Sequence, residues 1–255
     1  MKTIYPMEAF AFAMIVFSLN MQEALITGIL LLLVTVLGMV LDQVFGRLLP
    51  AWSRNVCLVV LSVAVTYSLF QIVFIKILQT NLDSKVIFLQ IVLGILIAKH
   101  LIENEEFDYN NLLYESAFAY GALILIGLLR EFLTSGMIFT FEIADFPFFT
   151  SGFQNVILGF VFSAIAIAIL NRAFGYEYGN TESLWVIIPI IIAYQPFSLR
   201  LPWESIGIII AIIVSIGFIL SVRMYLTFSN ICREWRRLPI ELLSTGMIYL
   251  ALMAI

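Results

Sequence analysis

Glu23, Glu115 and Glu204 each stand near the front of a long uncharged run: "NMQEALITGILLLLVTVLGMVL" (20–41), "LLYESAFAYGALILIGLL" (112–129) and "RLPWESIGIIIAIIVSIGFIL" (200–220). A small residue follows each acid, namely Ala24, Ser116 or Ser205. A carboxylate so placed has two possible roles. At a membrane surface it caps the free N–H groups of a helix start and complements the positive end of the dipole, worth roughly 0.3–1 kcal/mol. Within the hydrocarbon an acid costs about 2.5–3.5 kcal/mol on insertion scales, and such a group needs a cation, a proton or a polar partner. The depth of each helix start therefore separates a cap from an ion- or proton-handling group.

Arg130 and Glu131, in "GLLREFLTSGMIF", form a second polar pair. The simpler reading is a helix end at the interface with Arg130 snorkelling to water. Otherwise the pair joins the three glutamates as candidates for an ion path. Other residues carry less. The run "ENEEFDYNN" (103–111) holds four carboxylates without the spacing of a calcium loop, and reads as a solvated loop. "FTFEIADFPFF" (139–149) fits an interfacial belt or a partner-binding face. Cys57 and Cys232 have no second thiol or histidine at ligand spacing, and His100, beside Lys99, reads as an ordinary solvated residue. No dinucleotide fingerprint, P-loop, HExxH or nucleophile elbow occurs, which leaves soluble-type catalysis without support.

The elements that must position these residues are set by composition. The chain is 62% hydrophobic and 12% charged, far from the globular averages of about half and about a quarter. An all-α integral membrane protein is expected, with the lipid bilayer as its solvent. A net charge of -4 decides little in a chain whose charges are confined to loops, and with no basic field no nucleic-acid partner is expected. No cleavable signal pattern is visible, so the first apolar segment is expected to stay in the mature protein.

Apolar runs bounded by charge and Gly/Pro/Asn punctuation predict about nine segments, near 9–19, 23–44, 55–78, 86–100, 112–134, 152–171, 184–197, 203–226 and 237–255. Their lengths repeat as short, long, long. The short ones fall below the roughly 20 residues of a spanning helix, which predicts half-helices. Asn20, Gly28, Gly94, Pro196 and Pro202 are the expected break positions. Interrupted backbone survives in a membrane only where protein or a water-filled cavity satisfies it. "FSL" at 17–19 recurs at 197–199, each time shortly before a helix-opening Glu, and Arg54, Ser62 and Tyr67 share their spacing with Arg236, Ser244 and Tyr249. Three-segment units are therefore expected, each inverted relative to its neighbour. Counting Lys and Arg on alternate sides gives nine against four, which predicts a cytoplasmic N terminus and an external C terminus.

Several of these stretches resemble the membrane subunits of the Rnf and Nqr electron-transport complexes. "FSLNMQEALITGI" is similar to the family's early half-helix, with Asn20, Met21 and Gly28 on its Asn-Met and Gly positions. "YESAFAYGALILIGLLREFLTSGMIF" is similar to its later text at Glu115, Ser116, Tyr120, Gly121, Arg130, Glu131, Ser135 and Gly136. The resemblance covers roughly residues 8–171 and implies a domain of two inverted three-segment units, with 172–255 as an additional unit that packs on another subunit or a second copy. It implies a multi-pass protein of a bacterial-type cytoplasmic (inner) membrane, in an assembly that moves sodium ions or protons. In that family cysteines on the two half-helices are implied to hold an iron–sulfur cluster. Leu30 stands at the first of those positions and Leu93 or Gly94 at the second, so no cofactor is expected here. Two rival expectations are a stand-alone secondary transporter or channel, and a redox subunit that binds an organic cofactor.

Overall fold

The computed structural model describes residues 4–79, 83–103, 109–139, 141–143, 150–176, 183–194, 204–225 and 238–253. Pro196 and Pro202 lie outside the described residues. Among those described the architecture is all-α. Its helices are α1 (Met7–Val16), α2 (Met21–Leu48), α3 (Ala51–Lys76), α4 (Ser84–Glu103), α5 (Tyr109–Ser135), α6 (Val156–Phe174), α7 (Ser183–Tyr194), α8 (Glu204–Tyr225) and α9 (Ile240–Met253). Two short strands, β1 (Met137–Ile138) and β2 (Phe141–Glu142), pair antiparallel after α5, and a 3-10 turn over Ser151–Gln154 leads into α6.

Among the described residues five helices, α2 to α6, are long and apolar enough to cross a bilayer. The protein is thus a multi-pass membrane protein by length and composition. Its outer face agrees: Val40, Val44, Leu48, Trp52, Val56 and Val60 on α2 and α3 are all about half exposed or more. In lipid such a surface costs nothing, and the buried positions go to tight packing instead.

α1 is the innermost element. All its residues but Glu8 are buried, so it presents no lipid-facing side and its hydrophobicity has no helical periodicity to detect. At ten residues it rises about 15 Å, half the hydrocarbon thickness. It ends because Phe17 to Asn20 leave the helix, and Asn20 then caps α2 by accepting from the Glu23 N–H at 2.8 Å. The expected break at Asn20 is present.

Two other expected breaks are corrected. Gly28 lies inside α2 and Gly94 inside α4, both continuous helices. These glycines serve close approach: a Cβ on Gly94 would sit 2.8 Å from Val63 Cα, and one on Gly28 would strike the Tyr120 ring. α4 is likewise no half-helix, at 20 residues. Its polar ends, Ser84–Lys85 and Lys99–Glu103, remain helical beyond the apolar run, so an apolar-run count undervalues its length.

Side-chain contacts fix the directions. Glu8 pairs with Lys99, while Phe17 packs on Phe70 and Phe74 of α3, whose neighbour Gln71 bonds Gln90. α1 and α4 are therefore antiparallel. α7 begins near Lys99, where Trp185 meets the ammonium, and ends at Tyr194, within electrostatic reach of Glu23 and Arg130. It runs the same way as α1. α7 packs on α1 and α4, and α9 on α6, so the third group of segments lies against the rest of the chain.

Candidate functional site

The expected polar residues gather at two places. The first is the break between α1 and α2. Gly127 of α5 packs there without a side chain: a Cβ would meet Ala24 Cβ at 2.7 Å and the Asn20 carbonyl oxygen at 3.1 Å. Ser135, the last residue of α5, is eight residues further on, about 12 Å of helix rise. The start of α2 is therefore recessed well inside a helix of bilayer length.

Arg130 lies at the centre of this node and is fully buried. Its five N–H donors all have acceptors. Nε donates to the Phe153 carbonyl at 3.1 Å; Nη1 donates to the Ile15 carbonyl at 3.1 Å and Ser18 Oγ at 3.0 Å; Nη2 donates to the carbonyls of Gln154 and Asn155 at 3.2 and 3.1 Å. One side chain thus satisfies the C-terminal carbonyl of α1 and the backbone that enters α6. The snorkelling reading of Arg130 is corrected, because unpaired carbonyls at recessed helix ends hold the guanidinium more strongly than water at the surface draws it out. Gly159 makes room for this: a Cβ there would be 2.7 Å from the Ile15 oxygen and 3.2 Å from Arg130 Nη1.

Glu131, the next residue, serves the other side of the break. Its Oε2 accepts from the Met21 N–H at 2.7 Å. Cation and anion therefore face the negative end of α1 and the positive end of α2, each the favourable match to its dipole. Glu23 is half-buried in the first turn of α2, bonds to the Asn20 side chain, and interacts electrostatically with Arg130 and Tyr194. It is the carboxylate at the node whose oxygens are not spent on a backbone cap.

The second place is the opposite end of α5. Glu115 is 7% exposed. Its Oε1 accepts from the Tyr176 hydroxyl at 2.6 Å, and Oε2 has no hydrogen-bond partner within the protein. Tyr176 follows Gly175, whose φ of 75° ends α6 in the left-handed region. Burial, and after it the bond to Glu115, pushes the Tyr176 phenol up to about 12. The N-terminal segment is held here too: the Ile4 N–H donates to Tyr176 Oη at 3.4 Å, and His100 Nε2 lies 2.9 Å from the Ile4 carbonyl. His100 is therefore half-buried and bonded, not solvated.

Fifteen residues, about 22 Å of rise, separate Glu115 from Arg130 on α5. The structure thus unites Glu23, Arg130 and Glu131 and sets Glu115 apart. Glu204 opens α8, but its side chain is outside the described set. The sequence reading missed Tyr176 and Tyr194, whose roles depend on contacts distant in the chain. It also missed Asp42 and Arg54, which form a bidentate pair at 2.6 and 2.9 Å. Their spacing of twelve residues across Pro50, between two apolar runs, was a usable signal. Compared with protein-family models, curated proteins and solved structures, the chain matches none.

Proposed function

We propose that the protein is a membrane subunit of a redox-driven, ion-translocating assembly of the Rnf/Nqr kind, which transfers no electrons itself and shapes the path of a sodium ion or proton. The observation that carries this is the placement of Glu23: a half-buried carboxylate, beside a buried arginine, at a helix break recessed about 12 Å from the end of α5. Interrupted helices that turn polar ends toward one another are how many transporters hold ions. The sequence resemblance over 8–171 supports the assembly. Leu30 and Leu93 are apolar and buried and cannot ligate iron, so this role requires no cluster on this chain.

The parallel run of α1 and α7, each followed by an "FSL" stretch and a glutamate, supports a repeat in which the first and third groups share an orientation. The opposed direction of α4 suits an inverted unit between them. On this reading the N terminus is cytoplasmic in a bacterial-type inner membrane, and the outer apolar faces meet lipid, other subunits or a second copy.

A stand-alone secondary transporter is the second reading, favoured by the convergence of α1 and α7 on one node. Purification separates the two. Co-purification with flavin or iron–sulfur subunits supports the assembly, whereas a monomer or homodimer that transports by itself supports the transporter. In either case Glu23→Gln, Glu115→Gln and Glu204→Gln are assayed for sodium or proton uptake in vesicles. Unchanged uptake in all three removes the ion path and leaves a bracing role.

A further inference from the structure

We propose that Arg130 is a tethered cation standing where a broken-helix transporter would bind sodium, so that the break moves no metal ion and its exchangeable species is a proton on Glu23. The proposal rests on the ion-path reading above and names its ion. In transporters of that design, freed carbonyls at the end of one half-helix coordinate the cation, and freed N–H groups at the start of another hold an anionic substrate group. Here both positions are filled from within the chain.

Three of the last four carbonyls of α1 already have donors. Ala13 accepts from the Phe17 N–H at 2.8 Å, Met14 from the Ser18 hydroxyl, and Ile15 from Arg130 Nη1 at 3.1 Å. The Ser18 oxygen in turn accepts from Arg130 Nη1 at 3.0 Å. A hard cation needs a shell of several oxygens in place of its water. One that entered here would find these oxygens engaged and would face the charge of a fully buried guanidinium. The start of α2 is closed in the same way. Glu131 Oε2 takes the Met21 N–H at 2.7 Å, the Asn20 side chain takes the Glu23 N–H at 2.8 Å, and the Asn20 carbonyl takes the Ala24 N–H at 3.1 Å. Glu131 thus holds the place of an anionic substrate group, as Arg130 holds that of the ion.

The group left to exchange is Glu23. Among the described residues the charged and titratable groups at the break are Glu23 on α2, Arg130 and Glu131 from α5, and Tyr194 from α7. With Glu23 ionised, the three charged side chains sum to a single negative charge, and a proton on Glu23 brings that sum to zero. A carboxylate has about four acceptor sites, so the bond to the Asn20 side chain leaves room for the proton. Glu23 is also only half-buried. Its carboxylate takes a proton from water as an O–H bond forms and returns it as that bond breaks, with nothing oxidised or reduced.

The test uses the full chain with whatever subunits co-purify. In vesicles with an internal pH dye, proton uptake is expected to be as fast in sodium-free potassium salt as in sodium salt, and to fall to background in Glu23→Gln. Uptake of radiolabelled sodium is expected at background, and the wild-type thermal midpoint is expected to be the same in both salts. Arg130→Ala vacates the position, and guanidinium at millimolar concentration is expected to raise its midpoint while leaving that of the wild type unchanged. Uptake that stops without sodium overturns the proposal, as does a midpoint that sodium raises in the wild type and not in Glu23→Gln. So does a folded Arg130→Ala that ignores guanidinium. If Arg130→Ala does not fold, the comparison of the two salts decides alone. Wild-type protein that moves neither ion, while Arg130→Ala answers guanidinium, removes the ion path and leaves the tethered cation standing. Sodium uptake keeps the path and removes the tethered cation, so the two fail separately.

Discussion

Glu131 accepts a hydrogen bond from the backbone N–H of Met21 at 2.7 Å, across 110 residues of chain. The start of α2 is thus capped by α5, and the residue before Glu131 does the converse for the end of α1. Two adjacent side chains hold one helix interruption together, and without them the backbone on either side would lose these partners.

Arg130→Met therefore leaves four carbonyls, of Ile15, Phe153, Gln154 and Asn155, without their donor. At roughly 1–3 kcal/mol for each group left unsatisfied, and allowing for partial relaxation, the expected loss is on the order of 4 kcal/mol. Arg130→Lys retains the charge but has three donors and no fork, and is expected to cost about 2 kcal/mol. Thermal unfolding in detergent checks both, and a variant as stable as wild type contradicts the node.

Two glycines make a contrasting pair. Gly159→Ala places a methyl 2.7 Å from the Ile15 oxygen, and overpacking of this kind costs about 1–3 kcal/mol. At Gly121 nothing lies within 4 Å of the added Cβ. Gly121→Ala is expected to be neutral or to stabilise by up to about 1 kcal/mol through helix propensity. Their midpoints should move in opposite directions or differ by several degrees.

Tyr176 yields a dependence on pH. Its folded-state pKa, about 12, exceeds the ordinary value of 10.0, so the stability it contributes is complete below pH 10 and is lost as pH rises through 12. Wild-type stability should decline across that window. Tyr176→Phe should be less stable near neutrality, because Glu115 loses its donor, and flatter between pH 10 and 12. Tyrosinate absorbance with an unfolding series at each pH reads both; equal slopes would contradict the assignment.

The pair Asp42–Arg54 ties α2 to α3 with two short bonds, and the Asp42 side chain is 7% exposed. Asp42→Asn should cost about 1–2 kcal/mol, because the partly exposed Arg54 keeps only a neutral acceptor, while Asp42→Leu/Arg54→Met should recover much of it. A double-mutant cycle on unfolding free energies gives the coupling. A coupling near zero would mean that the pair is no more than a surface contact.

The amino-acid pattern determined the solvent, the helical class and the existence of a break at Asn20, because each follows from local quantities: apolar length, charge and capping residues. It placed breaks wrongly at Gly28 and Gly94, since a glycine in an apolar run looks the same whether it ends a helix or admits a neighbouring ring or backbone. It favoured an exposed Arg130, because a single charge near a helix end carries no record of the carbonyls waiting for it.

Those carbonyls belong to Ile15 and to residues 153–155, more than a hundred residues before Arg130 and some two dozen after it. Only the tertiary structure brings them to one guanidinium, and only there does it become evident that Arg130 and Glu131 are spent on backbone while Glu23 bonds to the Asn20 side chain. Local sequence fixes which groups must be satisfied; the packing of distant helices decides which group satisfies them.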